Sequence, residues 1–164
     1  MKLLFICIAA LAFSVSAAAQ KLPDFTAAGM DGQTIDTAAL RGKIVVINLW
    51  YINCPNCLEE MSELNRLVVQ YKGNKNTVFL APAASKKADL DKFLKSHPFK
   101  YEVIPDATML ILAKFGTPDK NGDINVPFPM HYVIDREGNI LVKTQGVKGI
   151  EAVKAELNKQ VRTN

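Results

Sequence analysis

Two cysteines, Cys54 and Cys57, are separated by two residues and are the side chains whose spacing most directly indicates chemistry. A CxxC pair can close into a disulfide, bind a metal ion, or exchange electrons with an external thiol or disulfide. The chain has three cysteines, and the remaining one, Cys7, lies in an apolar N-terminal run. Once that run is removed, the pair must act on itself or on an external partner.

Residues 1–19 have the three-part pattern of a cleavable export signal. Lys2 provides the positive start, an apolar run extends from Leu3 to Val15, and small residues follow up to Ala19. The run is shorter than the stretch of about 20 residues that a membrane-spanning helix needs. We therefore expect a signal peptide over 1–19 and one domain over 20–164, in the periplasm or another extracytoplasmic compartment. An uncleaved signal that anchors the chain to the membrane is the alternative.

The composition argues against a nucleic-acid partner and for a chemical role of the cysteines. Loss of residues 1–19 removes Lys2 and no acid, which takes the net charge from +4 to +3. This charge is small and evenly spread, so nucleic acid is not an expected partner. A content of 49% hydrophobic residues is enough for a core, and a domain of this size needs no disulfide staple.

A buried strand and a helix are predicted on either side of the pair. The run Lys43–Trp50 is apolar and β-branched, which is typical of a central parallel strand with both faces buried. After the cysteines, apolar residues recur at helical spacing up to Tyr71, and Gly73 ends the helix. The N–H groups and dipole of this helix favour a thiolate at Cys54, the predicted nucleophile. Cys57, expected to be more buried, is the predicted resolving thiol.

The remaining segments predict an α/β domain, in which a central mixed β-sheet is flanked by helices and preceded by an N-terminal β-hairpin. The hairpin falls within Lys21–Thr37, further strands are Thr77–Ala81, Tyr101–Ile104, Met130–Ile134 and Ile140–Thr144, helices are Lys86–Ser96, Ala107–Phe115 and Ile150–Gln160, and a loop covers Gly116–Val126.

The segment Val45–Met61 resembles the active-site region of the thioredoxin superfamily. More narrowly, it resembles the exported TlpA/ResA-like thiol-disulfide oxidoreductases, a group of the AhpC/TSA-Redoxin type, and the likeness extends from Leu22–Phe25 to Phe128–Gly138. It implies a thioredoxin-like fold and dithiol–disulfide exchange with disulfide-bearing proteins, without a cofactor. It also implies a membrane thiol-disulfide electron donor and favours reduction, for example in cytochrome c maturation, over oxidation.

The resemblance adds two catalytic candidates. Pro129 matches a proline that is cis in this family, faces the CxxC pair and keeps a backbone edge open for substrate. Glu60 matches a carboxylate that can relay a proton to the leaving thiolate. The alternative for Glu60 is an ordinary acid of the first helical turn, as Glu59 is expected to be. Asn48 stands where thioredoxins have a buried acid, so Glu60 or water would have to replace that group.

The residues next to these positions are the predicted substrate contacts, namely Asn53, Pro55, Asn56 and Phe128. Asn53 departs from the family, because many relatives have Trp directly before the first cysteine. The aromatic neighbour of the nucleophile is therefore missing. Trp50, which continues the buried strand, is predicted to belong to the core.

Two other functions remain as alternatives. His131 with Cys54 and Cys57 would suit Cu(I) or Zn(II) in a copper-binding or redox-chaperone module, although copper-delivery relatives usually have CxxxC; no metal site is our expectation. A thiol-dependent peroxidase is the other alternative, although peroxiredoxins need a Pro and a Thr that Ile47–Asn53 does not contain. Asp119–Asn125 lacks the Gly and Glu of a calcium loop and is predicted to be a solvated turn.

Overall fold

The computed structural model describes residues 20–162, so the signal peptide expected over 1–19 lies outside the described residues. The strands are β1 Thr26–Ala28, β2 Thr34–Asp36, β3 Ile44–Leu49, β4 Thr77–Pro82, β5 Glu102–Ile104, β6 Thr117–Pro118, β7 Ile124–Asn125, β8 Met130–Ile134 and β9 Ile140–Gln145. The helices are α1 Pro55–Gln70, α2 Lys87–Ser96, α3 Thr108–Phe115 and α4 Ile150–Arg162.

Strand β3 lies at the centre of a five-stranded sheet with the order β5-β4-β3-β8-β9. All six of its residues are buried, as a continuous apolar run requires when a strand is covered on both faces. It pairs in parallel with β4 and antiparallel with β8. The prediction of a parallel strand is therefore correct on one side only, and the expected mixed sheet is confirmed.

Alternate residues of the sheet enter two apolar clusters on its opposite faces. On one face Val46, Trp50 and Val133 pack with residues of α1, α2 and α4, and both cysteines belong to this cluster. On the other face Ile47 and Tyr132 pack with α3 and with side chains near the N-terminal hairpin. Trp50 is 1% exposed, so its assignment to the core is confirmed.

The expected N-terminal hairpin is formed by β1 and β2, which pair antiparallel outside the central sheet. The first described residues pair with the turn between β8 and β9. Gln20 accepts a backbone hydrogen bond from Ile140 N at 2.7 Å, and Leu22 N donates to Gly138 O at 2.9 Å. The N-terminal segment of the described chain is thus fixed to the turn between β8 and β9.

The segment predicted as a plain loop over Gly116–Val126 contains a small hairpin of β6 and β7. Asp119 holds its turn, because Asp119 Oδ1 accepts hydrogen bonds from Asn121 N at 2.7 Å and Asp123 N at 3.0 Å. Gly122 has a φ of 87°, which favours glycine. The loop expectation missed this hairpin because each strand has only two residues. Between residues 20 and 162, no helix has the length and apolar character needed to cross a membrane.

Candidate active site

Cys54 and Cys57 are joined by a disulfide at the N-terminal end of α1. Cys54 is the N-cap residue, and its Sγ accepts a hydrogen bond from Cys57 N at 3.2 Å. Pro55 occupies the first helical position, where the missing N–H costs nothing. The strand-to-helix junction thus places the first sulfur against the N–H groups of the helix, where a negative charge is stabilised.

Both cysteines are buried to the same extent, with 3% of each residue exposed. The expectation that Cys57 is the more buried one is therefore wrong for the oxidised pair. The reason is the capping geometry, since Cys54 Sγ is directed back at the helix terminus. Access to Cys54 depends on the loops around it.

The loop between β3 and α1 is fixed by contacts with the segment after β4. Ala84 N donates to Trp50 O at 2.9 Å, and Ile52 N donates to Ser85 Oγ at 3.1 Å. Cys54 N in turn donates to Tyr51 O at 3.3 Å. The nucleophile candidate is therefore carried by a loop that hydrogen bonds hold to the segment after β4.

Pro129 precedes β8 at the end of the sheet where β3 leads into the cysteines. Leu49 at the end of β3 pairs with Met130 at the start of β8, so the residues beyond them approach each other. The Phe128–Pro129 peptide bond is cis, as expected. The rings of Phe128 and Tyr51 meet edge to face with centroids 5.2 Å apart, which shows that the two loops are in contact.

The predicted substrate contacts surround the disulfide on the surface. Asn53, Pro55 and Asn56 are exposed, and Phe128 is half-buried. In the part of the chain that the structure describes, this rim consists of two small polar side chains, a proline and an aromatic ring. Such a rim can contact a peptide without a deep pocket.

Glu60 is buried, with 1% of the residue exposed, and lies one turn after Cys57 on α1. Its Oε1 accepts a hydrogen bond from Asn48 Nδ2 at 2.9 Å. Neither acid belongs to the first turn of α1; Glu59 is exposed as an ordinary surface acid, whereas Glu60 is buried. Residues three apart on a helix are neighbours, so Glu60 and Cys57 lie on the same side of α1.

His131 completes this group and is the residue whose place the sequence did not predict. It is 1% exposed, with Nδ1 at 3.2 Å from Asn48 Nδ2 and Nε2 at 3.2 Å from Glu60 Oε2. We call these three residues the Asn48–Glu60–His131 cluster. A signal was available, since Asn48 and His131 are polar residues inside two otherwise apolar strands.

The surroundings of the cluster are strongly desolvated. Burial raises the pKa of Tyr101 well above its usual value, and the charge of Glu60 raises it further. Within residues 20–162, no group of three His, Cys, Asp or Glu side chains is placed to hold a metal ion. The imidazole proposed for copper with Cys54 and Cys57 is directed instead at Asn48 and Glu60.

A mixed sheet with a CxxC disulfide at a helix N-terminus and a cis proline on the facing loop defines a thioredoxin-like redox domain. Residues 18–143 match the model of the AhpC/TSA family, and the chain belongs to that family.

Relatives and solved structures agree with this class. ResA, a thiol-disulfide oxidoreductase of Bacillus thuringiensis subsp. konkukian, is 24% identical over 140 residues, which cover 85% of this chain and 76% of the relative. A thiol:disulfide interchange protein of Chlorobium tepidum superposes with a TM-score of 0.68 at 20% identity, covering 85% of this chain and 96% of that one. A secreted disulfide oxidoreductase of Mycobacterium tuberculosis superposes with a TM-score of 0.59 at 23% identity, covering 74% and 82%. The chain is thus a thiol-disulfide oxidoreductase that carries a disulfide between Cys54 and Cys57.

Proposed function

We propose that this protein is an exported protein-disulfide reductase that acts on extracytoplasmic proteins, with apocytochrome c as one candidate substrate class. The observation that carries the proposal is the placement of Cys54 as the N-cap of α1 with Cys57 bonded to it. A thiolate there is stabilised by the helix N-terminus and attacks disulfides readily at neutral pH.

The reaction has two exchange steps. The Cys54 thiolate attacks a substrate disulfide, forms a mixed disulfide and releases the first substrate thiolate. Cys57 then loses its proton and attacks Cys54 Sγ, which forms the Cys54–Cys57 disulfide and releases the second substrate thiolate. The substrate gains two electrons and the pair loses two, so a dithiol donor must reduce the pair again. We assign that role to a membrane thiol-disulfide donor.

Glu60 is proposed to exchange the proton of Cys57. The support is its position one turn after Cys57 on the buried side of α1, its burial and the hydrogen bond from Asn48, which directs Oε1. A carboxylate at this place can accept the proton before Cys57 attacks and return it when the pair is reduced. Asn48 occupies the position of the buried acid of thioredoxins and cannot titrate. Glu60 would supply the acid–base function in its place.

Recognition of the substrate is assigned to the rim of the disulfide. Asn53, Pro55 and Asn56 are exposed on one side, and Phe128 lies on the other. Pro129 follows Phe128 directly and would leave the backbone before it free to pair with an extended substrate segment. Pro129 O is already bonded to Gly146 N at 3.0 Å, so the proposed pairing uses Phe128.

The extracytoplasmic location is supported by the signal pattern of residues 1–19. Fractionation of cells that produce the full chain tests it, together with N-terminal sequencing of the product. Recovery of a chain that begins near Gln20 from the extracytoplasmic fraction is the expected result. Retention in the cytoplasm would contradict the location and leave the chemistry unaffected.

The exchange mechanism is tested by trapping. Cys57→Ser retains the nucleophile and lacks the resolving thiol, so it should accumulate disulfide-linked partners that reducing agent releases. Cys54→Ser is the matched control and should trap none. The proposal fails if Cys57→Ser captures no partner in the exported fraction, or if both variants capture the same ones.

The direction of electron flow is tested by the reduction potential of the Cys54–Cys57 pair. Thioredoxin, a reductase, has a reduction potential of about −270 mV, and strong oxidants of this fold have values of about −120 mV. Equilibration with glutathione or dithiothreitol buffers gives the value. A potential near the lower figure supports reduction, and one near the upper figure would make the protein an oxidase.

A further inference from the structure

The amide group of Asn48 determines how His131 can be protonated. Glu60 Oε1, as a carboxylate oxygen, can only accept a hydrogen bond, so the atom 2.9 Å from it is the amide nitrogen of Asn48. That nitrogen carries two hydrogens, and its second neighbour is His131 Nδ1 at 3.2 Å. His131 Nδ1 is therefore an acceptor, which places the ring proton of the neutral imidazole on Nε2.

The ring of His131 is held from its other sides by a glycine and a threonine. A Cβ atom at Gly149 would lie 3.2 Å from His131 Cδ2 and 2.4 Å from Thr144 Oγ1, so the backbone of Gly149 packs directly against both side chains. Thr144 lies opposite His131 in the register of β8 and β9, and its Oγ1 donates to Gly149 O at 3.3 Å. The imidazole therefore has little freedom to turn away from Glu60.

His131 Nε2 and Glu60 Oε2 face each other at 3.2 Å with almost no exposure to solvent. The two atoms lie within ion-pair distance of each other, but the contact is not aligned as a hydrogen bond, and among the described residues neither atom has a hydrogen-bond partner. A buried polar atom without a hydrogen bond destabilises the folded state. Such atoms in a folded protein call for an explanation other than stability.

We propose that His131 is a positioning residue for the redox reaction, which holds Glu60 Oε2 in place for proton exchange with Cys57. The inference rests on the proposed function of Glu60 as the proton acceptor. In the resolving step the proton of Cys57 moves to Glu60, the Cys57 thiolate bonds to Cys54 Sγ, and the substrate thiolate leaves with the electron pair of the broken bond. When a donor thiolate later attacks Cys54, the Cys57 thiolate leaves and takes the proton back from Glu60.

The groups that can titrate near Glu60 come from few elements. They are His131 from β8, the two cysteines of α1, and Tyr101 before β5, whose pKa is raised by burial and by Glu60. In the described part of the chain, β3 and β9 contribute the uncharged Asn48 and Thr144. A pH profile of the resolving step therefore has to be interpreted with all of these groups in view.

A pair of polar substitutions separates positioning from packing. His131→Gln keeps an amide N–H about where Nε2 lies, whereas His131→Asn reaches Asn48 but is too short to reach Glu60. The assay uses the reduced full-length protein and the small aromatic disulfide DTNB, which releases one thiolate when Cys54 attacks and a second when Cys57 resolves. At about pH 7 we expect the second release to be about tenfold slower in His131→Asn and within about threefold of the parent in His131→Gln.

The pH profile and the Glu60→Gln background supply the decisive controls. The deficit of His131→Asn should shrink above the ordinary thiol pKa of about 8.5, because hydroxide then removes the Cys57 proton. In the Glu60→Gln background, His131→Asn should slow the second release by less than about twofold, since His131 then has no proton acceptor to position. Val133→Ala, a fully buried change on the same strand, should alter stability and leave the profile unchanged.

Three outcomes would overturn the inference. They are a normal second release in His131→Asn, equal deficits in the Asn and Gln variants, and a deficit that persists in Glu60→Gln. The assay needs no protein substrate, so it is independent of the trapping experiment. Failure to trap a partner would remove the proposed function, and a normal rate in His131→Asn would remove only the role of His131.

Discussion

Asn48 of β3 donates a hydrogen bond to Glu60 of α1 across 2.9 Å, where both side chains are 1% exposed. The bond links the central strand of the sheet to the helix that carries the cysteines. It also satisfies one oxygen of a carboxyl group that has no access to solvent. Loss of the amide would leave that oxygen without its donor.

Asn48→Leu is therefore expected to lower the free energy of unfolding by about 1–3 kcal/mol, the cost of a buried polar group left unpaired. Chemical denaturation of the oxidised protein measures it. In Asn48→Leu/Glu60→Leu the loss should be smaller than the sum of the single losses, by about 0.5–3 kcal/mol. Additive losses would mean that the two side chains do not stabilise each other.

Phe128→Ala is expected to weaken recognition of a protein substrate without slowing reduction of the Cys54–Cys57 disulfide by dithiothreitol. The ring of Phe128 packs edge to face on Tyr51 beside the disulfide, and buried aromatic contacts at interfaces are worth more than about 1 kcal/mol. We expect KM for a protein disulfide to rise at least about fivefold, with kcat within about twofold.

Met109→Ala is the matched control for this experiment. Met109 is 74% exposed and belongs to α3, on the opposite face of the sheet from the cluster that contains the cysteines. Its loss should leave KM unchanged. An unchanged KM in Phe128→Ala would exclude Phe128 from the substrate surface.

The strands and helices near the cysteines follow from local patterns in the sequence. The apolar run Lys43–Trp50 forms β3, and the helical spacing after the cysteines forms α1. Both patterns depend on residues within a few positions of one another, so they are visible in one sequence. The cis bond before Pro129 was expected from the family motif and has no local signal of its own.

The Asn48–Glu60–His131 cluster could not be derived in the same way. Asn48 and His131 are 83 positions apart in the sequence and meet only through the register of β3 and β8. Glu60 does fall on the buried side of α1 with Cys57 and Met61, whereas the apolar Leu58 is 36% exposed. Which residues contact a buried carboxylate depends on tertiary packing, and this cannot be inferred from the periodicity of one sequence.

Two buried tyrosines give opposite predictions for removal of their hydroxyl groups. Tyr71 OH at the end of α1 donates to Asn158 Oδ1 of α4 at 2.5 Å, whereas Tyr132 OH has no hydrogen-bond partner among the described residues. Burial raises the pKa of Tyr132 to about 12. Tyr71→Phe should lower the free energy of unfolding by about 1 kcal/mol, and Tyr132→Phe should be neutral or stabilising. A larger loss in Tyr132→Phe would show that its hydroxyl group is bonded in solution.

The ion pair between Glu63 of α1 and Lys154 of α4 should make stability depend on pH in the acid range. The hydrogen bond from Lys154, followed by that from Arg66, lowers the pKa of Glu63 below its ordinary value of 4.5. A carboxyl group with a lowered folded-state pKa stabilises the protein above its unfolded-state pKa, and this contribution is lost as the pH falls through the folded-state value.

Lys154→Met should therefore lose less stability than the parent protein between about pH 7 and about pH 3, as measured by urea denaturation. Lys159→Met is the matched control on the same helix. Lys159 Nζ lies 3.7 Å from Glu156 Oε1 and its side chain is 71% exposed, so solvent screens this pair and the pH dependence of Lys159→Met should follow the parent. If Lys154→Met and the parent lose stability in parallel on acidification, the Glu63–Lys154 pair does not contribute to the free energy of unfolding.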